Sequence, residues 1–247
     1  MDAIMDERTE ERTEERVDDK KVFVPEFHGN LRQHMLKLPE IIRKCNGIRI
    51  FGKRIKSIIF TTDVAIMRNS NADAVIAVYP FTPQPVITQA LMLAADIPVF
   101  CGVGGGTTTG KRVANLAMHA EYQGAMGVVL NAPSSNNTVA TVAKIVDIPI
   151  IITVVSEKDD IEKRLAAGVS ILNVAGARHT ANLVRGIRQR FPDVAIIATG
   201  GPNDDDINET IEAGANAITW SPPSNGELFK DMMERYRQQS RDGIFPD

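Results

Sequence analysis

Eight short apolar segments, separated along the chain by amphipathic stretches, constrain the fold of this sequence more than any other feature. Each is rich in valine, isoleucine or alanine, as expected of parallel strands that are buried on both faces. The segments span residues 57–62, 74–79, 98–102, 127–131, 149–154, 170–174, 195–199 and 217–220. Helical periodicity follows them, for example over 113–122 and 181–191. In a chain of 247 residues, this alternation predicts an α/β fold with a single (β/α)₈ barrel, which typically needs about 250 residues.

The segments that lead into the strands alternate between two types. An aspartate and a proline or valine introduce strands three, five and seven, at 96–98, 147–149 and 192–194. Small residues such as Ala213 and Gly214 introduce the even strands. A barrel built from four βαβα quarters is expected to repeat in this way. An open doubly wound sheet does not require the repeat and is the alternative fold.

Two further segments precede the predicted barrel at 57–240. Residues 1–21 combine acidic and basic side chains with almost no apolar ones, which predicts a charged, disordered tail. Residues 22–56 are predicted to form a preamble that caps the barrel. It combines a helical pattern, interrupted at Pro39, with a hairpin around Gly52. Residues 241–247 are predicted to be a C-terminal tail.

Charge and composition exclude several classes of partner. The formal net charge of −3 argues against nucleic acid, which attracts basic surfaces. No apolar stretch approaches the roughly 20 residues of a membrane span. The two cysteines, Cys45 and Cys101, have no CxxC spacing, which fits a reducing compartment. We therefore expect a cytoplasmic protein with no nucleic-acid or membrane partner, and a homo-oligomer of closed symmetry.

Functional groups of such barrels lie at the carboxyl ends of the strands and in the loops after them. Among these positions, the candidates for proton transfer are Asp63, Glu157 and His179. The candidates for substrate binding are Tyr79, Lys111, Asn131, Asn173 and Arg178. Structural alternatives stay open, because Asp63 is suited to cap a helix, Glu157 precedes charged residues typical of a solvated helix, and a lone histidine is often structural.

Two glycines after the seventh strand give the best-defined signal for a ligand. Thr199, Gly200 and Gly201 precede a helix, and glycine lets backbone N–H groups approach a phosphate at a helix N-terminus. Ser221 follows the eighth strand. The aspartates at 204–206 suit the first turn of the helix but would repel a phosphate that they faced. The alternative is that the glycines only form a tight turn.

A resemblance becomes specific at this point. The segment IIATGG at 196–201 and the segment IEAGANAI at 211–218 resemble the closing quarter of the ribulose-phosphate-binding barrels, which include N-acetylmannosamine-6-phosphate epimerases and indole-glycerol-phosphate synthases. FMN-dependent barrels close similarly. The resemblance implies the fold and a phosphate site at Gly200, Gly201 and Ser221, and it implies no particular reaction. The chain also resembles a bacterial group labelled "hydrolase", with similar TTDVAIM, GVGGG and TGGP segments.

The glycine-rich stretch 102–112 has part of a nucleotide-binding motif. Gly105 to Lys111 satisfies GxxxxGK, but Arg112 stands where a serine or threonine would hold magnesium. The stretch also follows the third strand, and no apolar run ending in aspartate supplies the second half of such a site. An active-site loop whose Lys111 and Arg112 attract an anion and a solvated surface loop are the two interpretations.

Residue types that are missing from the strand ends narrow the chemistry further. No lysine lies in or directly after a barrel strand as a Schiff base would require, and no set of histidines and carboxylates has metal-ligand spacing. We therefore predict no metal and no cofactor, with FMN as an alternative cofactor. The sequence favours an enzyme of the isomerase, epimerase or lyase type that acts on a phosphorylated, sugar-like metabolite. A hydrolase, an FMN-binding oxidoreductase and a non-enzymatic metabolite sensor stay open, because fold alone does not determine function.

Overall fold

The computed structural model describes residues 35–241, together with Pro25, Phe27, Gly29 and Asn30. The predicted tail at 1–21, nine residues of the predicted preamble (22–24, 26, 28 and 31–34) and residues 242–247 lie outside the described residues. The chain divides into two compact units between residues 33 and 34. The second unit contains all the elements described below.

Eight parallel strands close into a barrel, and a helix follows each strand. The strands are β1 (Ser57–Phe60), β2 (Ala74–Ala77), β3 (Val99–Gly104), β4 (Gly127–Leu130), β5 (Ile150–Val154), β6 (Ile171–Val174), β7 (Ala195–Thr199) and β8 (Ala217–Trp220). The helices are α1 (Val64–Arg68), α2 (Pro85–Ala94), α3 (Lys111–Tyr122), α4 (Asn136–Ala143), α5 (Ile161–Ala166), α6 (Thr180–Arg190), α7 (Asp204–Glu212) and α8 (Asn225–Arg241).

The pairing of the last strand with the first decides between the two predicted folds. Ile218 of β8 aligns with Ser57 of β1, and Trp220 aligns with Ile59. The sheet is therefore closed, so the predicted (β/α)₈ barrel is confirmed and the open doubly wound sheet is wrong. The strand bounds agree with the predicted segments to within two residues, and β1 and β2 each end two residues earlier than predicted. β3 continues to Gly104, with an irregular register against β4 between Gly102 and Gly104.

Side chains along each strand alternate between two separate buried sets, as the two-residue period of a strand requires. One set packs against the helices and includes Ile59, Val75 and Cys101. Burial in this layer raises the pKa of the Cys101 thiol to about 12. The other set, which we call the interior cluster, fills the barrel and consists of Ile50, Ile55, Ile58, Ala74, Ile76, Phe100, Val129, Ile151, Ile171, Ile197 and Ala217.

A β-hairpin closes the amino-terminal end of the barrel, where the flanking isoleucines predict one. Its strands, Ile48–Ile50 and Lys53–Ile55, pair antiparallel, and the turn between them holds Phe51 and Gly52 at positive φ. Ile50 and Ile55 are both buried in the interior cluster. The hairpin therefore acts as an apolar plug at this end.

The segment before the hairpin covers part of the barrel exterior beside α1 and α7. The Leu36 N–H donates to the Asn69 carbonyl at 2.7 Å, and the Lys44 ammonium donates to Oδ1 of Asn208 in α7 at 3.2 Å. A short 3₁₀-helix, Glu40–Lys44, begins directly after Pro39 and buries Ile42. α8, in contrast, has no fully buried residue, although its Leu228 packs against the core.

Candidate functional site

A cavity of about 270 Å³ opens at the carboxyl ends of the barrel strands. We call it the mouth cavity. Its lining consists of Phe60, Ile76, Val78, Val129, Asn131, Thr153, Asn173, Ala175, Thr199, Thr219 and Ser221. None of these described residues is ionisable. The mouth cavity therefore offers hydroxyl and amide groups, together with apolar surface, to a ligand.

The polar wall of the mouth cavity comes from β5 to β8. Strand register aligns Thr153 with Asn173 and Thr199 with Thr219. The Asn173 amide nitrogen donates to Oγ1 of Thr153 at 3.4 Å. Oδ1 of Asn173 and Oγ1 of Thr219 are buried and have no hydrogen-bond partner. A buried polar atom without a partner costs about 1–3 kcal/mol, so both atoms are suited to receive a bound molecule.

The opposite wall comes from β1, β2 and β4, and it is apolar except at Asn131, which follows β4. Phe60 lies at its rim with 41% of its surface exposed. Ile76 and Val129 are fully buried, and Val78 follows β2. The mouth cavity therefore has one wall rich in hydrogen-bonding side chains and one wall whose side chains are apolar except at Asn131.

A side pocket of about 100 Å³ adjoins the mouth cavity and shares Val78 and Asn131 with it. Tyr79 lines this pocket, and its hydroxyl accepts the Gln84 N–H at 2.9 Å. Gly105 presses against Asn131, since a Cβ added at Gly105 would lie 2.6 Å from the Asn131 Cβ. The glycine is thus required for the close approach of the two loops.

The glycine-rich stretch folds into a tight turn at this pocket. Gly105 and Thr108 form an antiparallel bridge, and the Thr108 hydroxyl donates to the Thr82 hydroxyl at 3.3 Å. Lys111 begins α3 and is exposed. It lines neither the mouth cavity nor the side pocket, so the loop contributes backbone and small side chains there.

Arg164 of α5 holds the loop that carries Asn131, a role that sequence reasoning missed. Its guanidinium donates to the Ala132 carbonyl and to Oδ1 of Asn136, both at 2.9 Å, and to the Ser134 carbonyl. In the sequence, Arg164 looks like any solvated charge in a short polar helix. Nothing in the sequence indicates that it reaches another loop.

The three proton-transfer candidates do not line the mouth cavity. The Asp63 carboxylate caps α1 by accepting the N–H groups of Ala65 and Ile66 at 2.8 and 3.2 Å. Glu157 is exposed and lines a separate cavity of about 280 Å³ beside α6. His179 is exposed, and its Nε2 accepts the Arg178 Nε–H at 3.1 Å. In this structure each of these side chains is engaged away from the mouth or points to solvent.

The residues predicted to bind phosphate divide into two groups. Thr199 and Ser221 line the mouth cavity. The Gly200 N–H already donates to the Thr219 carbonyl at 3.2 Å. Gly201 has φ +88°, and a Cβ there would lie 2.7 Å from the Cβ of Asp206. An anion beside Gly201 would therefore meet the Asp206 carboxylate nearby.

A larger cavity of about 550 Å³ lies at the opposite end of the barrel, beside the hairpin and the starts of β7 and β8. Arg188 lines it, and burial lowers the pKa of this guanidinium, opposed by the charge of Asp193. Arg188 donates to the carbonyls of Val194 and Gly214, both at 2.8 Å, and to Oδ1 of Asn216 at 2.9 Å. These bonds tie strand ends together, so we assign Arg188 a structural role.

The described residues have neither a metal-binding cluster nor a helix that could span a membrane. Residues 35–241 contain no group of three or more histidines, cysteines or carboxylates placed to hold a metal ion. In the same part of the chain, no helix is both long enough and apolar enough to cross a membrane.

Comparison with known proteins finds similar structures but no matching family. No protein-family model and no curated protein sequence matches the chain. A structure of 2,3-dimethylmalate lyase, a member of the PEP mutase/isocitrate lyase superfamily, has a TM-score of 0.58 and 13% identity over 83% of this chain and 86% of that one. Phosphonopyruvate hydrolase in complex with oxalate and Mg²⁺ has a TM-score of 0.59 and 10% identity over 78% and 87%.

A third similar structure is 4-hydroxy-tetrahydrodipicolinate synthase from Methylacidiphilum fumariolicum SolV, with a TM-score of 0.55 and 14% identity over 68% of each chain. At such low identities the similarity shows the fold alone. It supports a (β/α)₈ barrel and does not single out the ribulose-phosphate-binding superfamily.

Proposed function

We propose that the protein is an enzyme that acts on a small phosphorylated or carboxylate-bearing metabolite bound in the mouth cavity. One observation carries the proposal. The hydrogen-bonding side chains of β5 to β8 converge on this cavity, and two of their atoms, Oδ1 of Asn173 and Oγ1 of Thr219, are buried without a partner. The carboxyl ends of the strands are also where barrels of this fold bind their substrates.

The anionic group of the ligand would lie at the rim of the mouth cavity. The resemblance to ribulose-phosphate-binding barrels implies donors after β7 and β8. Because the Gly200 N–H is engaged, we propose the hydroxyls of Thr199 and Ser221 and the N–H of Gly201 as these donors. Asp206 beside Gly201 opposes a fully charged phosphate there, which favours a position closer to Ser221.

Isomerase, epimerase or lyase chemistry would require a proton-transfer group within about 3 Å of the substrate. Asp63 is engaged in capping α1, which leaves Glu157 and His179 on the loops after β5 and β6. As exposed side chains, they would have to turn toward the mouth when the ligand binds. The hydrolase alternative needs the same groups to activate water.

A non-enzymatic metabolite sensor is the second candidate function, and it is favoured by the absence of ionisable side chains among the described residues that line the cavity. FMN is a weaker alternative, because no feature of the described lining points to a flavin ring. Mg²⁺ is usually bound through one or two carboxylates, and no carboxylate is in the described lining. A cytoplasmic location and a homo-oligomer stay predictions.

Binding and turnover experiments test the proposal together. Purified protein is screened by thermal shift against sugar phosphates, hydroxy acids, inorganic phosphate and FMN, and each ligand that binds is followed for conversion by NMR. Ser221→Asp, at an exposed rim position, is expected to abolish shifts from anionic ligands, whereas Ser221→Asn keeps them. The proposal is wrong if no anionic compound raises the melting temperature of the folded protein, since a ligand of the native state must do so.

Variants at the proton-transfer candidates separate an enzyme from a sensor. In an enzyme, Glu157→Gln or His179→Asn lowers turnover while the thermal shift is kept. Binding without any conversion, unaffected by either variant, supports the sensor instead.

A further inference from the structure

The two walls of the mouth cavity differ enough to specify the chemistry of the molecule between them. Thr153, Asn173, Thr199 and Thr219 form the polar wall, and Phe60, Ile76, Val78 and Val129 form the apolar wall. A ligand that fills the space must present a hydrogen-bonding side to the first wall and a hydrocarbon side to the second. This requirement concerns the buried end of the ligand, below the rim at Ser221.

The charge of that buried end follows from the lining. Moving an ionised carboxylate or phosphate from water into a site without a cation costs several kcal/mol. No lysine, arginine or histidine is among the described residues of the lining. A negative charge at the floor would have no compensating partner, and a positive charge would find no carboxylate. The buried end is therefore uncharged.

The hydrogen-bonding character of the buried end follows from the atoms that lack partners. The Asn173 amide nitrogen is engaged with Thr153, and its Oδ1, which can only accept, has no donor. The ligand must therefore bring an O–H or N–H group to Asn173. The Thr219 hydroxyl can donate or accept, so it fits the oxygen of the same or the next hydroxyl.

The volume sets the size. A cavity of 270 Å³ equals roughly nine water molecules at about 30 Å³ each, which suits a chain of a few carbons and their oxygens. A hydroxylated carbon chain has the required two sides, because its hydroxyls can turn to one wall while its C–H groups face the other.

We infer that the ligand is a short polyol or hydroxy acid whose uncharged, hydroxyl-bearing end lies between Asn173 and Thr219, with its phosphate or carboxylate held at the rim. The inference rests on the proposed function, which it deepens by naming the substrate class. It also assigns Asn173 and Thr219 as the residues that select a hydroxyl.

Matched probes test the inference. Glycerol 3-phosphate is compared with n-propyl phosphate, which lacks both hydroxyls, with inorganic phosphate and with uncharged glycerol. 3-Hydroxypropionate, whose hydroxyl lies at the end away from the carboxylate, is compared with propionate. Affinities come from thermal shift and NMR titration. We expect the hydroxylated member of each pair to bind about tenfold more tightly, the effect of roughly one net hydrogen bond to a buried group.

Variants connect that preference to the two residues. Thr219→Val keeps the side-chain shape and removes the hydroxyl, and Asn173→Leu removes the acceptor. Each is expected to bring glycerol 3-phosphate down to the affinity of n-propyl phosphate, whose own affinity stays constant. Thr141→Val, on the exposed face of α4, is the matched control and should change neither. Circular dichroism melts establish that each variant is folded.

The outcomes separate this inference from the proposed function. Equal binding of glycerol 3-phosphate, n-propyl phosphate and inorganic phosphate overturns the inference and leaves the proposed function standing. Binding of uncharged glycerol with no contribution from phosphate or carboxylate overturns the proposed anionic ligand and supports the uncharged end. No binding by any of the probes contradicts both.

Discussion

At its amino-terminal end the barrel interior is filled by isoleucines and Phe100 and is plugged by Ile50 and Ile55 of the hairpin, whereas at its carboxyl end the same strands enclose an open cavity. Along a strand, the residue that fills the interior and the residue that faces the cavity are only two positions apart. On β5, β6, β7 and β8 an apolar interior residue is followed two positions later by a polar one, as in Ile151 and Thr153 or Ala217 and Thr219. On each of these strands, one interior residue packs in the core, and the next interior residue lines the cavity that we propose as the binding site.

The largest expected effect separates two phenylalanines that lie at opposite ends. Phe100 is fully buried in the interior cluster, whereas Phe60 is 41% exposed at the rim. Phe100→Ala should lower the free energy of unfolding by about 3–5 kcal/mol, and Phe60→Ala by about 1 kcal/mol, in urea titrations. Equal losses for the two variants would mean that the mouth belongs to the packed core.

The second prediction concerns the loop that carries Asn131 to the mouth. Arg164→Met removes three hydrogen bonds to this loop and should lower the free energy of unfolding by about 2–3 kcal/mol. Hydrogen exchange should rise selectively at 131–136. Lys163→Met is the control, since this neighbouring side chain is exposed and pairs only with Asp160, and it should change little. Unchanged exchange in Arg164→Met would refute the positioning role.

The third prediction compares two adjacent glycines. Gly105 and Gly106 both have positive φ, so alanine at either position should cost roughly 1–2 kcal/mol of strain. Only Gly105 faces Asn131 closely, while a Cβ at Gly106 would have no atom within 4 Å. Gly105→Ala should therefore cost about 1–3 kcal/mol more and weaken ligand binding through Asn131. Denaturant titration of the two variants measures the difference. Identical results would mean that the contact between residue 105 and Asn131 does not contribute to stability.

The smallest expected effect has the opposite sign. Thr219→Val removes a buried hydroxyl that lacks a partner and keeps the volume of the side chain. The free energy of unfolding should stay constant or rise by up to about 1 kcal/mol. A clear loss of stability on thermal or urea unfolding would show that Thr219 supports the fold. On β8, the carboxyl end of the barrel would then contribute to stability as the amino-terminal end does.

Much of this architecture can be predicted from the sequence, because the runs of valine, isoleucine and alanine report burial on both faces of a strand. Position relative to those runs also placed Asn131, Asn173, Thr199 and Ser221 at the mouth cavity. The same rule also indicates Thr153 at the end of the fifth strand. Thr219 is not indicated by it, although the two-residue offset of Thr219 from Ala217 is a usable signal.

Other features of the site depend on contacts that local patterns do not contain. The sequence leaves two roles open for Asp63, and only the folded start of α1 shows that the carboxylate accepts the helix N–H groups. The Gly200 N–H is unavailable to a ligand because it donates to the Thr219 carbonyl, and this hydrogen bond depends on how β7 and β8 are aligned. The reach of Arg164 across to another loop depends on the placement of α5. Each of these is a property of the folded chain.

The hairpin plug has a kinetic consequence. With Ile50 and Ile55 closing one end, the rim is the opening through which molecules can enter and leave the mouth cavity in the described part of the chain. A substrate and its product would then use the same route and could not be exchanged from opposite sides. If the protein is an enzyme, product added at the start should compete with substrate for the mouth cavity and lower the initial rate.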